Sequence, residues 1–372
     1  LILEKFKSFI TEEKEQPYKM IAFYNTGEVR RDIKEPNTMQ ILELLKKECS
    51  KIGCEFYYID FVGTYIERKD NKTFLQAFEI DDKTGEYIKI DAGNPKSKNG
   101  NYQKPIEINP ENTILMPRDS GLSSSYSQRN RNWFDLINEL ELDGYFAINS
   151  LHTFEICASK NLTDIYFRRN NLKSPKTVSI THSADTERAF ELLNTKFPIV
   201  LKASTGTQTG VGVVIIESMR NLAATVEMLL LFDKNMPLII QEYIKTDYDV
   251  RAMVVQDKVV GAMKRKVIVD DFRSNVSLGA KAESIELTNL ETEECIKAAQ
   301  MVKGQVIGVD FIPAKDREKE QPYFLEVNSN AGLTGIEEVQ PGITNKILKH
   351  FKNRDNWSWL WKINYGGVYS PL

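Results

Sequence analysis

Hydrophobic positions along the chain recur with two periods. Met20–Tyr24 and Phe56–Phe61 are short apolar runs of strand length. Between them Pro36 opens a stretch in which Ile41, Leu44 and Leu45 fall on one helical face. Strand, helix and strand in sequence predict a doubly wound unit, whose ligands lie beyond the carboxyl ends of its strands. Thr113–Met116 is apolar again and is stopped by Pro117, which puts Arg118 at such an end. Phe74–Ile80 and Glu86–Ile90 flank Asp81–Gly85 and read as a hairpin turning at Lys83-Thr84-Gly85. The following Asp91–Lys104 is polar and aperiodic, an exposed loop. Trp133–Leu142 has helical spacing through Phe134, Ile137 and Leu140, and His152–Arg169 reads as one further helix ending before Pro175. Short apolar strands follow at Pro198–Lys202, Val213–Ile216 and Leu238–Ile244, then at Gly308–Ile312 and Tyr323–Asn328.

Composition narrows the function classes. The 372 residues are 41% hydrophobic and 27% charged, ordinary for a globular protein. A net charge of −3 argues against nucleic acid held by bulk charge. Apolar runs such as Val211–Ile216 are far shorter than the roughly 20 residues of a membrane helix, so no membrane is expected. The four cysteines form no C-x-x-C pair and the three histidines no triad, which fits a reducing, cytoplasmic setting. Leu1–Phe9 carries Glu4, Lys5 and Lys7 and does not read as a signal peptide. The aromatic tail with Trp357, Trp359, Trp361, Tyr365 and Tyr369 is expected to pack on the body of the protein or across a subunit boundary, in a homo-oligomer.

Three constellations carry candidate chemistry. Lys202 ends a strand and enters the loop Ala203–Gly212, which holds Gly206, Gln208 and Gly210. Glycines let backbone N–H groups approach phosphate oxygens, and a lysine adds a point charge. The Walker order is absent because the lysine precedes the glycines; alone, the segment also fits an ordinary hairpin. Next, Leu238–Gln241 runs into Glu242, Tyr243 and Ile244, a segment able to offer backbone groups to an adenine edge or simply to form a buried strand. Last, Glu326 and Asn328 share one face of a strand while Leu325 and Val327 point into the core, and Asp310 joins from the paired strand across the loop Pro313–Pro322. Two carboxylates and an amide oxygen suit a hard cation such as Mg²⁺, though three polar residues on a solvated sheet face would look the same. Five cations between Lys258 and Arg273, including Lys264-Arg265-Lys266, form a local basic cluster, either a solvated loop or a clamp for polyphosphate and a carboxylate substrate.

In order, these pieces resemble the ATP-grasp superfamily, and within it the RimK-like glutamate ligases. The resemblance rests on Gln241–Lys245, Asp249-Val250-Arg251, Asp271-Phe272-Arg273-Ser274-Asn275, Gly308-Val309-Asp310, and Glu326-Val327-Asn328 followed by Gly332–Glu337. Met116-Pro117-Arg118 looks like the family's proline–arginine turn, and Ser159-Lys160 sits where the family carries a nucleotide-contacting lysine. It implies that Lys160 and Lys202 contact ATP phosphates, that Gln241, Glu242, Tyr243 and Ile244 form the adenine hinge, and that Asp249 helps hold the nucleotide. It further implies that Arg273, Ser274 and Asn275 meet the triphosphate or the reacting groups, and that Asp310, Glu326 and Asn328 bind Mg²⁺, with Mn²⁺ as a substitute. Arg273, Lys202 and Arg251 are then the expected catalytic residues, and Arg118 and Arg265 the expected substrate contacts. Two departures stand out: Thr209 lengthens the glycine-rich loop by one residue, and Lys264-Arg265-Lys266 replaces the family's Glu-Arg-Arg.

The implied fold is α/β (α+β): an ATP-grasp fold with an N-terminal doubly wound pre-ATP-grasp domain over 1–150, bearing an insert at 74–104. A small ATP-grasp lobe is expected over 151–240, a large lobe with the metal site over 241–351, and the aromatic tail over 352–372. The implied activity is an ATP- and Mg²⁺-dependent carboxylate–amine ligase working through an acyl phosphate. Its partners would be an amino-acid donor or acceptor and a peptide, protein or small-molecule carboxylate. The alternatives are an ATP-grasp kinase that does not ligate and an inactive ATP-binding scaffold.

Overall fold

Five consecutive buried residues, Met20 to Tyr24, make the first strand a natural sheet centre. The computed structural model describes residues 17–24, 36–61, 64–77, 104–118, 131–204, 213–266 and 282–358. The chain divides into two compact units, residues 1–117 with 139–147, and residues 118–138 with 148–372.

In the first unit β1 (Lys19–Tyr24), β2 (Glu55–Asp60), β6 (Thr113–Pro117) and β7 (Phe146–Ala147) form a sheet in the order β2-β1-β6-β7, each pair parallel. The helix between the first two strands, α1 (Pro36–Lys51), buries Ile41, Leu42, Leu45 and Cys49, while Leu44 lies at the edge of that face. A separate antiparallel sheet joins β3 (Tyr65–Lys69), β4 (Lys72–Gln76) and β5 (Ile106–Ile108). Its tight turn is Asp70-Asn71, both at positive φ (52° and 59°), a backbone that Asp and Asn tolerate and that matches strand twist. The observed hairpin therefore precedes the expected one, and Phe74–Gln76 pairs back to Tyr65–Glu67. The proposed turn at Lys83–Gly85 lies outside the described residues, as do most of the 74–104 insert and the tail beyond Ser358.

The second unit holds two antiparallel sheets. The four-stranded sheet, in the order β10-β9-β11-β8, uses β8 (Thr177–Ile180), β9 (Ile199–Ala203), β10 (Val213–Ile216) and β11 (Leu238–Glu242). Two helices, α5 (Thr186–Leu193) and α6 (Met219–Phe232), contribute Ala189, Leu193, Leu222 and Val226 to its core. The five-stranded sheet runs β14-β13-β12-β15-β16, with β12 (Tyr248–Val255), β13 (Lys258–Lys266), β14 (Ala282–Ser284), β15 (Val306–Ile312) and β16 (Tyr323–Asn328). Its core joins Val250, Val254, Val309, Phe311, Phe324 and Val327 to Cys295, Ala298 and Ala299 of α7 (Asn289–Met301). A Thr288–Glu291 capping box starts that helix.

Two sequence expectations need correction here. The segment 152–169 is not one helix but two, α3 (Leu151–Ala158) and α4 (Lys160–Arg169), broken at Ser159. Ser159 has extended backbone (φ −111°, ψ 110°), and its hydroxyl accepts from Leu162 N, so it restarts the helix as an N-cap. Leu325 does not enter the core. Register shifts at Asp310/Phe311, where Phe311 opposes Phe324 and Asp310 opposes Glu326, so Leu325 is a bulged residue and the buried pair is Phe324 and Val327.

Candidate active site

The strand register places six chemistry-bearing residues on one face of the five-stranded sheet. Directly opposed residues share a face, as do residues two apart. Arg251 on β12 opposes Asp310 on β15, which opposes Glu326 on β16; Gly308 opposes Asn328; Asp249 opposes Arg265 on β13. The side chains use this arrangement. Arg251 grips Asp310 with two bonds, Nε to Oδ1 at 2.7 Å and Nη2 to Oδ2 at 2.5 Å. Arg265 does the same to Asp249 at 2.8 and 2.7 Å, and its Nη2 also lies 3.2 Å from Asp310 Oδ2. The result is an alternating row of two guanidinium groups and two carboxylates. Burial pushes the Asp310 carboxyl up, but Arg251 and Arg265 outweigh it and hold it below the usual carboxylate range.

Asp249 and Arg265, read from sequence as nucleotide and substrate residues, are thus bound to each other, and Arg265 is only 3% exposed. The flanking Lys264 and Lys266 face the other way and both pair with Glu283, at 2.8 and 2.7 Å. Those hydrogen bonds bring the Glu283 carboxyl down to about 2. Of the basic run on β13, only Arg265 belongs to the carboxylate face.

The expected metal residues are an oxygen set of the kind a hard cation takes, with both Asp310 oxygens already accepting from Arg251. Asn328 turns its amide Nδ2 toward Asp310 Oδ2 (3.4 Å), which leaves its own carbonyl oxygen available. Among the described residues the Glu326 carboxylate carries no hydrogen bond or ion pair. An Asn oxygen and two carboxylates, without imidazole or thiolate, match the oxygen preference of Mg²⁺ and leave coordination positions for phosphate oxygens and water.

The four-stranded sheet supplies Lys202, and α4 supplies Lys160. Lys202 Nζ donates to Gln241 Oε1 (2.5 Å), and Gln241 Nε2 donates to Thr177 Oγ1 (2.9 Å), a chain across β9, β11 and β8. Lys160, first residue of α4, is fixed against the end of β9: its N–H donates to Ser204 O (3.0 Å), and Asn161 N donates to Ser204 Oγ (3.2 Å). The helix break at Ser159 is what brings Lys160 there. Burial and the neighbouring Lys160 lower the Lys202 ammonium to about 8, against the pull of Glu326 and Asp164. Lys202 thus feels both the second lysine and the Glu326 carboxylate of the five-stranded sheet. Glu242 exchanges bonds with Lys176, donating N–H to its carbonyl at 2.9 Å, and Tyr243 and Ile244 follow, half-buried, between β11 and β12. Gly206, Gln208, Gly210, Arg273, Ser274 and Asn275 lie outside the described residues.

Three further residues shape the site. Asn149 is buried and uses its whole amide. Oδ1 accepts from Gln305 N (2.6 Å) and Val306 N (3.0 Å), and Nδ2 donates to Val306 O and Ser329 O (2.7 Å each). It ties the start of β15 to the residue after Asn328. Gly308 is required by close approach: a Cβ there would lie 2.7 Å from Ala331 Cβ, with Asn328 Cβ at 3.6 Å and Arg251 Cδ at 3.8 Å. A glycine inside a strand was a usable sequence signal for this. Arg118, 9% exposed, donates Nη2 to Ala331 O (3.0 Å), while Asn330 Nδ2 donates back to Arg118 O (2.8 Å).

Comparison with known proteins decides the family. The description "RimK-like ATP-grasp domain" matches residues 159–351. The chain belongs to the RimK-like ATP-grasp family. It is 30% identical over 271 residues to a probable alpha-L-glutamate ligase of Marinomonas sp. strain MWYL1, covering 72% of this chain and 83% of that one. It is 34% identical over 251 residues to probable alpha-L-glutamate ligase 2 of Shewanella denitrificans strain OS217, covering 67% and 78%. Among solved structures, a Chryseobacterium gregarium RiPP-associated ATP-grasp ligase in complex with ADP and a leader and core peptide aligns with a TM-score of 0.62 at 15% identity, over 91% of this chain and 97% of that one. The D-alanine–D-alanine ligase of Bacillus anthracis complexed with ATP aligns with a TM-score of 0.56 at 16% identity, over 90% and 95%. The fold is an α+β ATP-grasp fold, and this RimK-like protein is an ATP-using ligase that forms C–N bonds. No helix among the described residues is long and apolar enough to cross a membrane.

Proposed function

We propose that this ATP-grasp ligase joins an amino acid, with glutamate the first candidate, to the carboxylate of a peptide acceptor. The carboxylate oxygen attacks the γ-phosphorus of ATP; a P–O bond forms, the bond to the β-bridging oxygen breaks, and ADP leaves. The unprotonated amine then attacks the acyl carbon, a C–N bond forms, and phosphate departs with the amine's proton. The observation that supports this reading best is the single face that gathers Asp310, Glu326 and Asn328 beside Arg251, within electrostatic reach of Lys202.

The obstacle to the first step is charge, because an anionic carboxylate must approach an anionic triphosphate. Asp310, Glu326 and Asn328 would hold Mg²⁺, which when bound neutralises phosphate oxygens. Lys160 and Lys202 place cations for the phosphates. Arg251 stands next to the metal face with its guanidinium oriented by Asp310, suited to meet a substrate carboxylate. Gln241 orients Lys202, and Gln241 to Ile244 offer backbone groups to the adenine. Peptide acceptors are favoured because the Chryseobacterium ligase is complexed with a leader and core peptide, and a macrocyclase of the same fold, MdnC from Microcystis aeruginosa, with a precursor peptide.

The test is trapping with hydroxylamine. With ATP, Mg²⁺ and an acceptor peptide, the activated carboxyl should appear as a hydroxamate with equimolar ADP and phosphate. A stable phosphorylated peptide instead would favour the kinase alternative, and no ADP with any acceptor would leave a scaffold.

A further inference from the structure

Two buried polar atoms, one on Asn330 in the turn after β16 and one on Arg118, which is bonded to that turn, are left unanswered by the protein. Arg118 Nε and Asn330 Oδ1 are both shielded and both lack a hydrogen-bond partner. The two residues are locked together: Asn330 Nδ2 donates to the Arg118 carbonyl, and Arg118 Nη2 donates to the carbonyl of Ala331, the next residue. Among the described residues Arg118 has no carboxylate partner. That sets it apart from Arg251 and Arg265, each bound to an aspartate through two nitrogens. A shielded guanidinium nitrogen and a shielded amide oxygen, both unpaired on residues that are bonded to one turn, are costly in a native structure, and a ligand with matching groups would answer both.

The location says which reactant. Ala331 folds back on Gly308, where a Cβ would find Ala331 Cβ at 2.7 Å and Asn328 Cβ and Arg251 Cδ at 3.6 and 3.8 Å. Asn149 fixes the same turn through Ser329 O. Asn330 is therefore attached to the end of β16, two residues from Asn328, and Arg118 is tied to the same turn by its two hydrogen bonds. The chemistry says which groups: a cationic N–H donor and a neutral oxygen acceptor, held together, complement the carboxylate and the amine of one free α-amino acid.

We propose that Arg118 and Asn330 form the subsite for the incoming amino acid, with Arg118 Nε on its α-carboxylate and Asn330 Oδ1 accepting from its amine. This deepens, and rests on, the ligase reading above. Asn330 then orients the nucleophilic nitrogen, and Arg118 excludes amines that lack the adjacent carboxylate. Peptide N-termini and simple alkylamines would be poor donors, because burying Arg118 against a neutral group leaves its charge unpaired.

The test compares amino acids with their α-carboxamides as donors, using the full chain, ATP, Mg²⁺ and an acceptor peptide with a free carboxylate. The wild-type protein should prefer the free acid of its best donor over the α-carboxamide by about 100-fold in kcat/KM. Arg118→Gln should collapse that preference to a few-fold while KM for ATP stays within about twofold; Asn330→Leu should raise donor KM about tenfold. Equal use of acid and carboxamide by the wild-type protein would overturn the proposal without any variant, so a poorly folding Arg118→Gln does not shelter it. An intact preference in folded Arg118→Gln would overturn it too. If amides form but the α-carboxylate is ignored, only this subsite fails; if no donor of either kind is joined, the ligase reading fails with it.

Discussion

The five-stranded and four-stranded sheets of the second unit both present cations, and they treat them in opposite ways. On the first, Arg251 and Arg265 are each clasped by an aspartate, so charge is cancelled inside the protein and geometry is fixed. On the second, among the described residues Lys202 donates only to the neutral Gln241 oxygen, and burial beside Lys160 lowers its ammonium to about 8. One face is a rigid, self-compensated platform. The other is a cation awaiting an anion, which fits a site that receives polyphosphate. Removing charge should therefore hurt stability on the first face and binding on the second.

The largest expected effect is on the platform. Asp310→Ala leaves the half-buried Arg251 guanidinium without its carboxylate, while Arg265 keeps only Asp249, and urea unfolding should show a loss of about 3–5 kcal/mol together with loss of ligation. Lys202→Met sharpens the contrast. ATP turnover should fall about 10²–10³-fold, while the urea midpoint should not drop, because a desolvated cation repelled by Lys160 has been removed. A midpoint that falls as far as in Asp310→Ala would break the comparison.

The pH dependence follows from the same lysine. Its folded pKa lies below the ordinary lysine value, so it loses its proton as pH rises through about 8. Phosphate binding needs the charged form, so kcat/KM for ATP should decline by up to about tenfold per unit above that pH. The decline should vanish in Lys202→Met. Gly308→Ala tests the platform's geometry: the added methyl meets Ala331 and should cost about 1–3 kcal/mol while weakening Mn²⁺ binding, measured by electron paramagnetic resonance in the presence of ADP. The smallest effect belongs to the outward pair. Lys264→Ala with Lys266→Ala removes solvent-exposed contacts to Glu283 and should change stability by less than about 1 kcal/mol, with ligation intact.

Much of this was legible in the chain. The doubly wound strand–helix–strand start and the paired strands of Asp310 and Glu326 follow from strand length and alternation, which are local properties. The family motifs in order carried the ATP-grasp reading to the right fold. What was not legible depends on register and on contacts distant in sequence. Nothing near Arg265 announces that Asp249 will stand opposite it, so a cation that neutralises a neighbour read as one free to meet substrate. Leu325 looked like a core residue because alternation cannot foresee a bulge. Ser159 sits mid-pattern between two helical stretches, and the break it makes is fixed by bonds from Lys160 and Asn161 to Ser204, 43 residues beyond Asn161. Asn149 is one polar residue after an apolar pair, yet its amide spans to positions 156 and 180 residues away.

The central claim is that this site makes an amide bond. Intact-mass spectrometry of an acceptor peptide after incubation with the chain, ATP, Mg²⁺ and a panel of amino acids tests it most directly. The expected result is a mass gain of one or more amino-acid residues, each with loss of water, absent in Asp310→Ala. A stable gain of phosphate on the acceptor, with no amino acid joined by any member of the panel, would contradict it.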